Sequence, residues 1–135
     1  MIGQNEKLVR EFYEATAPGH RQATRGLQAP RVVYDFPKGM PAGSGHFEGL
    51  QDVFDRFLTN FYEAFDVQLI VEKIIAAGND VVAIGRIQGQ ARRSGVPIEV
   101  PFAHVWTVGD GYLRRLRAFT DTATLANALA SNSSQ

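Results

Sequence analysis

The feature that most constrains this chain is a change of hydrophobic period at Phe65: apolar side chains recur at helical spacing before it and alternate after it. Leu8, Phe12 and Ala15, with Val9 and Tyr13 beside them, form one stripe over residues 5–17, while Glu6, Lys7, Arg10, Glu11 and Glu14 face elsewhere. The spacing predicts an amphipathic helix ended near Pro18-Gly19. Arg21–Leu27 is short and polar, enough for one helical turn. Residues 32–36 are β-prone and Pro37 closes them; KGMPAGSGHFEG then reads as a loop. Leu50, Val53, Phe54, Phe57, Leu58 and Phe61 give the cleanest helical stripe.

Beyond Phe65, Val67, Leu69 and Val71 alternate with polar positions. Gly78-Asn79-Asp80 turns the chain, and Val82 and Ile84 lead into Arg86, Gln88 and Gln90 on the same side. Arg92-Arg93-Ser94-Gly95 turns it again. Residues 97–108 and 112–121 form a hairpin about Gly109-Asp110-Gly111, and Thr122–Ala130 a closing helix, before a tail (131–135) read as disordered. The order implies a single α+β domain over residues 1–130, helices first and then a long antiparallel sheet.

Composition bounds the function. With 135 residues, 44% of them hydrophobic, and nine Phe, four Tyr and one Trp, the chain builds its core without cysteine, of which it has none. Fourteen basic residues balance fourteen acidic ones, and no Lys/Arg run interleaves with aromatics, so nucleic acid is not an expected partner. No apolar stretch reaches about 18 residues, so a membrane partner is not expected either, and the reading is a cytoplasmic protein. No His/Asp/Glu cluster has metal-ligand spacing, no Gly-rich phosphate loop follows a strand, and no Ser sits in a nucleophile elbow. No cofactor is expected.

The strings His104-Val105-Trp106 and Arg117-Ala118-Phe119-Thr120-Asp121, within PFAHVWTVGDGYLRRLRAFTDTATL, resemble the C-terminal signature of SnoaL-like proteins of the NTF2-like, ketosteroid-isomerase-like superfamily. The preceding helix, FPKGM strand end, FEGLQDVFDRF segment and long strands follow the same order. The resemblance implies a cone-shaped roll: a strongly curved antiparallel sheet wrapped around N-terminal helices, with a central apolar pocket, a hydrophobic small-molecule ligand, and a homodimer formed through the sheet. It does not select among cyclases, isomerases, hydrolases, dehydratases and non-catalytic binders.

Within that resemblance, steroid isomerase chemistry needs a carboxylate base and two proton donors. Phe12 falls at the Tyr position with Tyr13 one residue off, Phe36 at the base position with Asp35 beside it, and His104 or Ala103 at the third. Epoxide hydrolases of the superfamily carry the Arg117, Phe119, Asp121 spacing; Arg86 is the candidate bridge, but Gln88 stands at the second carboxylate, and an amide is no general acid. The polyketide-cyclase pattern leaves Asp121 as general base, His104 as its acid partner or orienter, and Arg117 or Arg86 as anchor for a carbonyl or enolate oxygen. Phe12, Tyr13, Phe36, Met40, Phe57, Arg86, Gln88, Phe102, Trp106 and Phe119 are the expected substrate-binding residues. The arginines of the sheet half (Arg86, Arg92, Arg93, Arg114, Arg115, Arg117) suggest that any charged ligand is an enolate or carboxylate.

Hairpin register decides whether His104 and Asp121 meet. A two-residue Asp110-Gly111 turn sets His104 against Arg117 and brings Asp121 to the same face. A three-residue loop sets His104 against Leu116 and Asp121 on the opposite face. Structural roles compete with each assignment: Asp121 stands where it would cap the last helix, His104 is placed as a hydrogen-bonded core histidine, Trp106 as packing, and the arginines as a solvated or dimer-facing surface.

Overall fold

A computed structural model describes residues 3–42 and 45–131. Helix α1 (Gln4–Glu14) buries Val9, Phe12 and Tyr13 and ends at Ala15, whose N–H bonds back to Glu11 and Phe12. A 3-10 segment, Arg21–Leu27, leads into β1 (Gln28–Asp35), which is longer than the predicted strand. The stretch read as one loop contains a short strand, β2 (His46–Glu48), paired antiparallel to β1 with Asp35 opposite His46. Its three residues are too few to show a period.

The second helical region is α2 (Leu50–Asp52), a π-helical stretch Val53–Leu58, and α3 (Thr59–Ala64). In the wider π turn Val53, Phe54 and Phe57 are all buried, and the Thr59 hydroxyl donates to the Phe54 carbonyl at 2.9 Å. Strands β3 (Phe65–Ala77), β4 (Asp80–Ala91), β5 (Pro97–Gly109) and β6 (Tyr112–Thr120) follow, then α4 (Thr122–Ala130). The sheet order is β2-β1-β6-β5-β4-β3, antiparallel except where β1 runs parallel to β6. One core joins α1, the π stretch, α3, the inner sheet face and α4, from Val9 to Ala128. Among the described residues no helix is long and apolar enough to cross a membrane. Residues 132–135 of the expected tail lie outside the described residues.

The β5–β6 hairpin corrects both expected registers. Asp110 (φ 53) and Gly111 (φ 80) make the two-residue turn and Gly109 opposes Tyr112, but a bulge after Val108↔Leu113 shifts the pairing so that Thr107 opposes Arg115. His104 therefore faces Ala118, not Arg117 or Leu116, and Trp106 faces Leu116.

The close approach of β3 and β4 requires glycine at position 85. A Cβ there would lie 2.0 Å from the Ile70 carbonyl oxygen of β3 and 3.0 Å from Phe102. The backbones approach too closely for any side chain. Gly85→Ala is expected to destabilise the fold by about 1–3 kcal/mol, seen as a lower urea midpoint at unchanged slope.

Candidate functional site

The inner sheet face and the helices enclose a cavity with about 560 Å³ of free space, its mouth included. Phe12 and Thr16 wall it from the first helical segment, Tyr34, Phe36 and Met40 from β1 and the loop after it, and Phe57, Leu58, Phe61 and Tyr62 from the second helical region. Leu69, Ile87, His104, Leu116, Ala118 and Thr120 come from four strands. The Phe36 and Phe57 rings stack at 4.3 Å, and Phe57 stacks on Phe61 at 5.6 Å, so one wall is a continuous aromatic surface.

Most polar groups of this wall are already committed. Thr16 donates to the Tyr13 carbonyl at 2.6 Å, Tyr34 to the Gln28 side-chain oxygen at 2.6 Å, and Thr120 to the Pro101 carbonyl at 2.7 Å. Tyr62 carries the Arg21 guanidinium 3.5 Å above its ring centre. His104 differs. Its Nδ1 lies 2.5 Å from the Tyr13 hydroxyl, whose oxygen also accepts the Trp106 indole N–H at 2.9 Å. Its Nε2 makes no hydrogen bond among the described residues and is not sealed from the cavity.

Burial sets the charge of this group. His104 is 8% exposed, with the Phe102 ring 4.3 Å from its own, and desolvation pushes its pKa down to about 3. The imidazole is therefore neutral across the physiological range. Burial likewise raises the Tyr13 phenol well above its usual value, partly offset by the hydrogen bond from Trp106, so it stays protonated. The lining contains no Asp, Glu, Lys or Arg.

Several expected site residues stand elsewhere. Asp121 is the N-cap of α4, accepting the Thr124 N–H at 3.0 Å and the Thr124 hydroxyl at 2.6 Å. Those bonds hold its carboxyl below the usual aspartate range. It is exposed, does not line the cavity, and does not pair with His104. Arg117 and Phe119 point from the outer face of β6, the guanidinium 5.7 Å from the ring. Arg86 and Gln88 lie on the outer face of β4, where Arg86 meets Glu99 at 2.8 Å and Glu72 at 3.3 Å. Val82, Ile84, Arg86 and Gln88 do share a side, as expected, but it is the outer one. Phe12, Phe36, Met40 and Phe57 line the cavity; Tyr13, Phe102 and Trp106 lie buried behind His104.

The isomerase alignment resolves in the same way. Tyr13 is inward and hydrogen-bonded, whereas Asp35 points outward to His46 at 2.5 Å and Arg115 at 2.7 Å. Burial is the largest single influence on the Asp35 carboxyl and raises it, but the hydrogen bonds and charges of those two partners together outweigh it and hold it low. Sequence reasoning missed Thr16, Tyr34, Phe61, Tyr62, Leu69 and Ile87 as lining. The signal for Phe61 was present, as the end of the helical stripe that includes Phe57.

A mixed six-stranded sheet closed by helices over an apolar cavity is the arrangement of the NTF2-like class of folds. Within it, residues 9–116 match the family model of the SnoaL-like domain, and the chain belongs to that family. Similar solved structures include an NTF2-like protein of unknown function from Burkholderia pseudomallei, at 26% identity over 96% of this chain and 100% of that one, TM-score 0.85. A putative SnoaL-like polyketide cyclase from Jannaschia sp. CCS1 shares 23% identity over 95% and 92%, TM-score 0.83. TerC, co-crystallised with polyporic acid, shares 22% over 96% and 100%, TM-score 0.85. No curated protein sequence matches the chain.

Burial of neutral His104 carries a pH signature. Its folded pKa, about 3, lies below the unfolded value of 6.5, so the unfolded state binds the extra proton in that interval. The contribution is fully present above 6.5 and is lost as pH falls toward 3. Urea unfolding should show stability falling by a few kcal/mol over that interval. His104→Gln should flatten the His104 part of the slope; an identical pH profile in the variant would refute the assignment.

Proposed function

We propose that this SnoaL-like protein binds a hydrophobic, carbonyl-bearing small molecule of polyketide or terpenoid type and polarises its carbonyl through His104. The observation that carries this is one neutral imidazole, with Nδ1 engaged and Nε2 free, in a cavity otherwise lined by apolar groups, the Tyr62 phenol, and the hydroxyls of Thr16, Tyr34 and Thr120, which already donate elsewhere. An aromatic wall suits a flat ligand, and a neutral ring suits a neutral oxygen. A carboxylate would enter an apolar space whose lining offers it no cation.

The chemistry is then enolisation, as cyclisation or isomerisation requires. No carboxylate on the described wall is available as base, so the substrate must carry its own acidity. A carbon between two carbonyls, the repeating unit of a polyketide, has it. Hydrogen bonding to one oxygen makes that C–H more acidic still, and water accepts the proton. This reading calls for no metal or redox cofactor and places the protein in the cytoplasm. The missing base also favours a second reading, a non-catalytic binding module.

The test uses 1-tetralone and tetralin, which share a carbon frame and differ in the ketone, with binding followed by the indole N–H resonance of Trp106, the single tryptophan. One hydrogen bond to a neutral acceptor should favour the ketone about three- to tenfold. In His104→Leu the order should invert, because the ketone then loses its water without gaining a partner. Asp121→Asn should change neither affinity. Equal affinities for the wild-type protein, or an unchanged preference in His104→Leu, would sink the reading. Deuterium uptake at the carbon between the carbonyls of a 1,3-diketone, 1-phenylbutane-1,3-dione, separates its two forms: protein-accelerated exchange supports the enzyme, and binding without acceleration the module.

The same reading takes a second copy of the chain as partner, docked through the outer sheet face. Ile84, Ala103 and Phe119 are in register across β4, β5 and β6, and Ile84 and Phe119 are 36% and 47% exposed there. Sedimentation should give a dimer for the wild type and a monomer for Phe119→Glu, with the cavity pair still bound by the variant; a wild-type monomer removes the partner.

A further inference from the structure

We infer that Tyr13, held in place by Trp106, is the positioning residue that fixes the proton of His104 on Nε2, making His104 a hydrogen-bond donor that stabilises an enolate oxygen without protonating it. The inference rests on the carbonyl-binding reading for its ligand, and on proton counting for its substance.

An indole nitrogen only donates, so the bond of 2.9 Å from Trp106 Nε1 uses a lone pair of the Tyr13 oxygen. The phenol has one proton left to place. Among the described residues its one acceptor is His104 Nδ1 at 2.5 Å. Nδ1 must then present a lone pair, and the ring proton sits on Nε2, toward the cavity. The opposite tautomer would give the phenol oxygen two donors and leave its own proton buried and unpaired. Such a proton is the costlier defect.

The same chain limits what His104 can do. To give up its Nε2 proton the ring would have to take the Tyr13 proton at Nδ1, leaving a phenolate in the core. Burial opposes that phenolate strongly. Acting as base at Nε2 requires a second proton on a ring that burial keeps neutral. The group therefore donates a hydrogen bond and keeps its proton. Packing reinforces the aim: Tyr13 lies against Phe102 and His104, and Phe12 and Tyr34 hold the Trp106 ring at 4.7 and 5.7 Å. The bond from α1 to β5 spans 91 residues of sequence, so the helix and the tautomer are set together.

Histidine ¹⁵N NMR on the ligand-free protein tests this, with the His104 signals assigned by their loss in His104→Leu. The wild type should show a pyrrole-type Nε2 and a pyridine-type Nδ1. In Tyr13→Phe both signals should move toward the average of the two tautomers, and the preference for 1-tetralone over tetralin should fall several-fold while tetralin binding is kept. An unchanged pattern in Tyr13→Phe overturns the inference. If that variant does not fold, the wild-type spectrum decides alone, because a pyrrole-type Nδ1 is incompatible with the proposal. The expected spectrum without any ketone preference in the wild type would remove the ligand reading and leave the tautomer assignment standing.

Discussion

Alternation along β5 is the constraint on which the interior depends. This strand pairs with β4 on one side and β6 on the other, and Ile98, Val100, Phe102, His104, Trp106 and Val108 all turn inward. Five of those six are apolar, and the sixth has to be satisfied where they pack. Tyr13 satisfies it. Because that phenol arrives on α1, the hydrogen bond that makes the buried histidine tolerable also seats the first helix against the sheet. Core packing and site chemistry are here the same contact.

Period carried much of this fold in the sequence, and register carried little. The switch at Phe65, the Asp110-Gly111 turn and the bounds of α4 are all local properties. A bulge is different, since it adds a residue that strict alternation cannot represent. Its trace was nevertheless there: Leu113 and Leu116 are both inward and three apart, with Arg114 and Arg115 both outward between them. In β4 the parity was legible but the face was not, because the inward set includes Gly85 and Ala83, while the outward set begins with Val82 and Ile84. Hydrophobicity alone pointed to the wrong side. What reversed it was a close approach of backbones, which only the folded sheet displays.

Asp121 shows two demands meeting at one position. A strand that ends in a carboxylate and continues as a helix needs that carboxylate for the first-turn N–H groups, and Thr124 takes both of its oxygens. Resemblance in this segment identified a fold element and a family, but not a shared role for the residue. The polar group on which the proposed function rests is instead one strand away, at His104, where sequence offered a core histidine and a catalytic one as competing descriptions. The structure makes them compatible: the ring is core on its Nδ1 side and open to the cavity on its Nε2 side.

Charge distribution sharpens what such a cavity can recognise. Arg86, Arg114 and Arg115 are committed to Glu99, Asp110 and Asp35 on the outer surface, Arg92 donates to the Tyr62 carbonyl, and Arg93 and Arg117 are exposed. None of these six lines the cavity, so none of them offers a cation there to an enolate or a carboxylate. A site built from one neutral donor binds no ion strongly at rest, and its stabilisation grows only as negative charge develops on the oxygen it touches. In an apolar surround that growth is larger than in bulk water, because the donor is already held in place and does not have to turn to meet the oxygen. An uncharged cavity also leaves competing anions in water, where a cationic one would hold them before any reaction began.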